Sequence, residues 1–172
     1  MVPIFFTFAK LGIKSHIMAK EIELKFLVTD RTFVNIATSH SRIRQCYLSD
    51  SPDATVRIRL KDDNAYITVK GRNHGCVRDE WEYEIPAQDA LEMAEHLSHG
   101  FAIDKTRYIV PYKGYVWEVD EFHGNHEGLI IAEVEMPSAN CTPELPPFIG
   151  KEVTGDPQYY NSSLAKAKKP SI

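Results

Sequence analysis

Cysteine is scarce in this chain, and no long apolar segment is present. The three cysteines among its 172 residues, Cys46, Cys76 and Cys141, form no CxxC pair. Their odd number argues against a disulfide-built scaffold and favours reduced thiols in a cytoplasmic protein. The apolar stretch from Val2 to Ile13 is too short to span a bilayer. We therefore expect no membrane partner.

The chain also lacks a basic surplus and the usual phosphate-binding loop. Its formal net charge is -4, which argues against non-specific binding of nucleic acid. It contains no glycine-rich phosphate loop and no arrangement that predicts a Ser-His-Asp triad. Any phosphate here would be bound by side chains. The length suits a single domain, and 43% hydrophobic residues suffice for a core.

Residues 1–17 differ from the rest of the sequence. Lys10 and Lys14 follow the apolar stretch, whereas a signal peptide carries its cations before it. Met18 directly precedes the first strongly patterned segment. We interpret 1–17 as an extension, which either comes from an upstream start codon or is an accessory segment. Residues 18–172 are then a single domain.

Alternation of charged and apolar residues dominates from Lys20 onward and predicts about eight strands. A short helix is expected across Phe33 to Ile36 and a longer one from Pro86 to His99. The segment between Pro137 and Pro157 is expected to be irregular, and Tyr159 to Lys169 helical. The predicted fold class is α+β, an eight-stranded antiparallel β-barrel with flanking helices.

The charged face of these strands is sorted by sign. Carboxylates dominate the first, fifth, seventh and eighth strands, and cations the third and sixth. A solvated sheet face is the usual explanation of such alternation. However, the opposite face carries bulky apolar residues, and if that face packs outward against helices the charges must turn inward. The bulky residues are Phe26, Trp81, Tyr108 and Trp117.

An interior lined by both signs predicts a ligand that needs both. Phosphate chains with divalent metals meet that requirement. Carboxylates at i and i+2, about 6.5–7 Å apart on a strand, could hold Mg²⁺ or Mn²⁺. The pairs are Glu21 with Glu23 and Glu133 with Glu135. Arg57 and Arg59 could each grip a phosphoryl group bidentately.

Several motifs occur in a characteristic order along the chain. They are Glu21-Ile22-Glu23-Leu24-Lys25, Arg57-Ile58-Arg59, Lys70, Arg78 with Glu80 and Glu82, Lys105-Thr106-Arg107, Glu118-Val119-Asp120, Glu133-Val134-Glu135, Glu152-Val153-Thr154 and Tyr159-Tyr160-Asn161. From Met18 to Ala165 this set resembles the CYTH superfamily, the triphosphate tunnel metalloenzymes, in its short bacterial members.

The resemblance implies an eight-stranded tunnel that hydrolyses or cyclises a triphosphate. It implies metal binding by Glu21, Glu23, Glu133 and Glu135, with Asp120 nearby. It implies phosphate binding by Lys25, Arg57, Arg59, Lys70, Lys105 and Arg107. Bacterial members usually carry glycine before the tyrosine that corresponds to Tyr47, and this chain has Cys46 there instead.

Lys105 or Tyr47 is expected to orient or deprotonate the attacking water. A lysine inside a cation-rich site has a lowered pKa, which suits Lys105 to act as a base. We further expect the charges of the tunnel to repel one another without ligand. On that view Glu23→Ala or Glu133→Ala would abolish turnover with little loss of folding.

Three functions remain open at this stage. They are hydrolysis of tripolyphosphate, which we favour, adenylate cyclase or another organic triphosphatase activity such as on thiamine triphosphate, and non-catalytic polyphosphate binding. No nucleotide-binding motif accompanies the cations, which favours the short inorganic chain. His123 and His126 are interpreted as residues of a solvated turn. The sequence leaves a homodimer open.

A protein shortened to begin at Met18 should fold and turn over normally, because 1–17 carry none of the patterned charges. The measurement is the yield of soluble protein and the rate of phosphate release from tripolyphosphate, beside the full chain. Loss of soluble protein on truncation would show that the segment with Phe5, Phe6 and Phe8 covers an apolar surface.

Overall fold

A computed structural model describes residues 22–51, 53–72, 79–138 and 141–166 of the chain. Within them nine strands form one sheet, in the spatial order β5-β4-β3-β2-β6-β7-β8-β1-β9, and every pair of neighbours is antiparallel. The strands are β1 (Glu23–Val28), β2 (Ser39–Ser51), β3 (Ala54–Lys61), β4 (Asn64–Lys70), β5 (Glu80–Ile85), β6 (His99–Tyr112), β7 (Tyr115–Phe122), β8 (Ile130–Glu135) and β9 (Ile149–Glu152).

Short helices accompany the sheet. They are α1 (Phe33–Ile36), α2 (Ala87–Leu97) and α3 (Asn161–Leu164), with 3-10 turns at Gly124–His126 and Pro157–Tyr159. The first two agree with the helices predicted from sequence. Asp30 accepts a hydrogen bond of 2.8 Å from the backbone N–H of Thr32 just before α1. Thr32 is the N-cap of α1 and makes no side-chain capping hydrogen bond. No helix among the described residues has the length and apolar character to cross a membrane.

The sheet curls so that one face becomes an interior. Residues opposite each other in an antiparallel pair point to the same side, and the register aligns Tyr47 with Arg57, Arg57 with Thr68, and Thr68 with Glu82. Side chains from β5 and from β8, far apart in the strand order, line one common cavity. The charged residues therefore face inward, as predicted.

The outward face is apolar and largely covered by the helices. Phe26 packs against the fully buried Trp117, and Phe33 of α1 packs edge-on against Tyr108. A second cluster lies under α2, where Ala90 meets residues of β2, β3 and β4. The outward-packing prediction is wrong at Trp81, which is 37% exposed. Trp81 lies on β5 at the end of the sheet, beyond the strands that α2 covers.

The strand count differs from the prediction because β9 was not foreseen. It lies in the segment that was expected to be irregular, and it pairs with β1 through Phe26 opposite Glu152. A Cβ at Gly150 would stand 2.9 Å from Thr29 Cγ2 and 3.2 Å from Leu27 O. Glycine therefore permits the close approach to β1. A four-residue strand carries too little alternation to be recognised from sequence.

The cavity has an apolar floor, which we define as the buried cluster Tyr47, Ile103, Phe122, Leu129, Ile131, Leu164 and Ala165. Ile103, Phe122 and Ile131 lie two residues from the inward charges of their own strands, so the floor continues the interior at one end. Residues of α3 cover it from outside the sheet. The charges therefore lie between this floor and the open end.

His126 helps to hold α3 at the floor, which corrects the expectation of a solvated turn. Its side chain is 2% exposed, and Nε2 lies 2.9 Å from the carbonyl oxygen of Leu164. His123 is partly buried, with Nε2 2.9 Å from Thr106 Oγ1. The turn itself was predicted correctly, but α3 packs on it from a distant part of the chain. The predictions for Glu21, Cys76, Arg78 and residues 1–17 fall outside the described residues.

Gly100→Ala should destabilise the protein more than Gly114→Ala. Both glycines have positive φ, +80° and +85°, where a side chain costs about 1–2 kcal/mol. Only at Gly100 would the new Cβ also meet an atom, the carbonyl oxygen of Ala165 at 2.6 Å. That oxygen accepts a 2.7 Å hydrogen bond from the N–H of Phe101. Overpacking should add about 1–3 kcal/mol.

Thermal and urea unfolding of the two variants measure the difference. Gly114→Ala is the matched control, since a Cβ at this position would have no neighbouring atom within 4 Å. Equal losses of stability in both variants would contradict a tight contact between α3 and the start of β6.

Candidate functional site

A cavity of about 280 Å³ lies on the inward face. One water needs roughly 10–15 Å³ on this measure, so the cavity has room for a polyatomic ligand. Nearly all of its lining is charged and comes from the strands. The lining residues are Gln45, Arg57, Arg59, Lys70, Glu80, Glu82, Lys105, Arg107, Glu118, Glu133, Glu135 and Asn161.

A continuous chain of ion pairs runs along one wall, here called the buried ion chain: Lys25, Glu133, Arg107, Asp120 and Lys105. Glu133, Arg107 and Lys105 line the cavity itself. Lys25 Nζ lies 2.6 Å from Glu133 Oε1, and Arg107 Nη2 lies 2.9 Å from Glu133 Oε2. The same Nη2 lies 2.6 Å from Asp120 Oδ2, and Lys105 Nζ also bonds to Asp120. The chain alternates in sign over β1, β8, β6 and β7.

These pairs determine how the buried groups titrate. Burial lowers the pKa of Lys25, but Glu133 and Glu23 more than offset it, so this pKa lies above its ordinary value. Burial raises the pKa of Glu133, yet Lys25 and Arg107 outweigh it and hold the pKa well below the ordinary range. Both groups are therefore charged at neutral pH, although both are largely withdrawn from water.

Lys105 behaves differently from Lys25. Its side chain is buried, with 1% exposure, and burial lowers its pKa; Asp120 offsets part of this effect and Arg107 adds to it. The direction agrees with the expectation from sequence, but burial, rather than neighbouring cations, is the larger cause. Tyr47, the other candidate base, has a raised pKa because it is buried.

On the opposite wall, cations of β3 and β4 form ion pairs with carboxylates of β5. Arg59 Nη2 lies 2.6 Å from Glu82 Oε1, and Arg57 Nη2 lies 3.3 Å from Glu82 Oε2. Lys70 Nζ lies 2.6 Å from Glu80 Oε2. The Nε atoms of Arg57 and Arg59 are buried, and neither has a hydrogen-bond partner among the described residues. Each arginine therefore retains a donor for a ligand.

Some residues of the site were not assigned a role from sequence. Gln45, 2% exposed, donates a 3.2 Å hydrogen bond from Nε2 to the Tyr47 hydroxyl. Asn161 also lines the cavity. An alternating strand places Gln45 on the same face as Tyr47, which could have revealed it. Asn161 comes from α3, and only the fold brings it to the strands.

The carboxylates nearest the open end suit a hard divalent cation. Glu23 lies directly opposite Glu135 in the pairing of β1 with β8. Like charges in this position repel, and an ion coordinated by their oxygens would remove the repulsion. Across the described residues no three Asp, Glu, His or Cys side chains form a ready metal cluster. Glu21, an expected ligand, lies outside those residues, and Asp120 bonds to cations.

The expectation that the interior charges mainly repel one another is wrong. Glu133 is 6% exposed and forms ion pairs with both Lys25 and Arg107. Glu82 forms ion pairs with both arginines of β3. Strand alternation shows which residues share a face, but it cannot show which opposite charges meet across a curled sheet. The pairing means that removing one carboxylate leaves cations buried without a partner.

Proteins of known sequence and structure resemble this chain over most of its length. A family model described as CYTH domain matches residues 19–169. An inorganic triphosphatase of Acetivibrio thermocellus is 46% identical over 149 residues, 87% of this chain and 95% of the relative. One of Nitrosomonas europaea is 34% identical over 149 residues, 84% of this chain and 96% of the relative. A solved inorganic triphosphatase structure has a TM-score of 0.64 at 30% identity, covering 89% of this chain and 99% of that one.

Glu133→Gln should lower stability strongly, whereas Glu23→Gln should change it little. Removing one member of a buried ion pair costs on the order of 3–5 kcal/mol, because the other charge stays buried. The Glu23 side chain is 35% exposed and stands 3.6 Å from Lys25, so water can replace it. Urea unfolding at neutral pH with a chelator present measures both. A Glu133→Gln protein as stable as the wild type would contradict the paired-charge description.

Proposed function

Because the chain belongs to the CYTH domain family, we propose that it hydrolyses a linear triphosphate, with inorganic tripolyphosphate as its substrate. The observation that carries this proposal is the cavity in which cations from β3, β4 and β6 surround one space. Relatives described as inorganic triphosphatases support it.

The cations would bind the phosphate chain by exchanging partners. Each now contacts a carboxylate of the protein, and a phosphate oxygen is an acceptor of the same charge sign. Arg57 and Arg59 can keep Glu82 on their Nη2 atoms while each Nε donates to a phosphoryl oxygen. The remaining phosphate ligands in this proposal are Lys25, Lys70, Lys105 and Arg107.

Hydrolysis needs compensation of the charge that develops on the phosphoryl oxygens. Guanidinium and ammonium groups that line the cavity supply it, because their strands hold them around the space that the phosphate enters. Glu23 and Glu135, with Glu133 farther along β8 and Glu21 before β1, would hold a Mg²⁺ or Mn²⁺ ion, which neutralises phosphate charge.

Lys105 and Tyr47 lie at the junction of the charges and the apolar floor. Lys105 Nζ lies 5.5 Å from the Phe122 ring centroid and donates a hydrogen bond to Asp120. Tyr47 retains its proton, since burial raises its pKa. In this proposal both residues orient groups around the inner phosphoryl group.

A cytoplasmic location follows only from the cysteine usage and stays a prediction.

Arg57→Ala and Arg59→Ala should each lower kcat/KM on the order of 10²-fold, about 2.7 kcal/mol, through loss of a charge-assisted phosphate contact. Arg42→Ala is the matched control: Arg42 is half exposed and pairs with Asp104 by 2.7 Å, away from the cavity lining. Steady-state phosphate release, with the unfolding midpoint of each variant, measures the effect. Near-wild-type rates for both cavity variants would instead support a solvated charged face.

The choice of substrate is decided by one assay series. Phosphate and cyclic nucleotide release are measured from tripolyphosphate, ATP and thiamine triphosphate with Mg²⁺, with Mn²⁺ and with chelator. The proposal expects the highest kcat/KM for tripolyphosphate and no turnover in chelator. Cyclic AMP from ATP would establish the cyclase alternative, and ligand binding without any turnover would establish a phosphate-binding module.

A further inference from the structure

Asn161 occupies an unusual position in the cavity. Among the described lining residues it alone comes from outside the sheet, as the first residue of α3. Leu164 and Ala165, a few residues on, belong to the apolar floor. Asn161 is therefore a neutral amide placed at the closed end of a cavity whose other lining is mostly ionised.

The amide oxygen of Asn161 is buried, and no described residue donates a hydrogen bond to it. Buried polar atoms in folded proteins almost always have partners, so such an atom indicates a missing donor. The nearby cations supply few spare donors, because Lys105 and Arg107 are engaged by Asp120, Glu118 and Glu133.

The chemistry of the missing donor can be inferred by elimination. The oxygens of an ionised triphosphate only accept hydrogen bonds, so they cannot satisfy an amide oxygen. A divalent cation could coordinate it, but the carboxylates proposed to hold that cation lie toward the open end. A water molecule can donate one hydrogen bond to that oxygen while one of its lone pairs points elsewhere. At the inner end of the cavity, that lone pair would face the phosphoryl group that enters first.

We propose that Asn161 positions the attacking water against the innermost phosphoryl group of the substrate. The inference rests on the proposed triphosphatase function. The water oxygen forms a bond to the terminal phosphorus, the bridging P–O bond breaks, and its electron pair leaves with diphosphate. One water proton passes to solvent or to a phosphate oxygen. Asn161 stays neutral throughout and acts by orientation, which affects the reaction step more than substrate binding.

The test compares Asn161→Leu, which has a similar volume but no polar atoms, with Ser162→Ala, the neighbouring α3 residue that does not line the cavity. For tripolyphosphate, Asn161→Leu should lower kcat about 30-fold or more with KM within about threefold, and Ser162→Ala should match the wild type. The size follows from the loss of orientation at a hydrogen-bond distance.

A second variant separates orientation from loss of folding. Asn161→Asp retains an acceptor of the same shape, so at saturating substrate it should keep a clearly higher kcat than Asn161→Leu, while its charge raises KM. Unfolding midpoints are measured for all variants. If the Asp variant folds yet loses as much kcat as the Leu variant, the water-positioning role is overturned.

Three further results would contradict the water-positioning role of Asn161. A raised KM with an unchanged kcat in Asn161→Leu would mean that the amide N–H groups bind phosphate instead, and the inference would be wrong. Wild-type kcat in that variant would overturn it as well, while leaving the triphosphatase proposal intact. A wild-type protein that releases no phosphate from any tested triphosphate would overturn both.

Discussion

Withdrawing an ionised side chain from water costs several kcal/mol, so the interior of this sheet can be charged only where opposite charges meet. Lys25, Glu133, Arg107, Asp120 and Lys105 meet this condition as an alternating chain that crosses four strands. Because each internal member touches two partners, the position of every strand in this wall depends on its neighbours. The curled sheet and the buried ion chain therefore require each other.

The same constraint prepares the cavity for an anion. Carboxylates hold the cations in place before any ligand arrives, which reduces the entropy lost on binding. Glu82 shows this most clearly, since it contacts Arg57, Arg59 and Thr68 at once. A polyphosphate that enters this space finds donors already directed inward, and the Nε atoms of the two arginines have no partner among the described residues.

An interior of this kind inverts the usual arrangement of a β-sheet, and the apolar core must lie elsewhere. Here it lies outside the sheet, where Trp117 and Phe26 share a buried cluster with Phe33 of α1, and Cys46, Ile58 and Ala65 pack under Ala90 of α2. Inside, the apolar part that the described residues form is the floor, and α3 covers it through Leu164. The short helices thus have distinct tasks: two cover the outer face and one closes the end at which the inner phosphoryl group would rest.

Period-two alternation by itself determined most strands and the inward set Lys25, Arg57, Arg59, Lys105, Arg107 and Glu133, because a strand fixes which residues share a face. Helical spacing and a capping signal determined the first two helices. It could not determine contacts between strands that are distant in sequence. Tertiary structure alone decided that Glu133 pairs with Lys25 and Arg107, that β9 adds to β1 through Gly150, and that α3 delivers Asn161 and buries His126. Local patterns encode the direction of a side chain, whereas its partner depends on how the whole sheet curls.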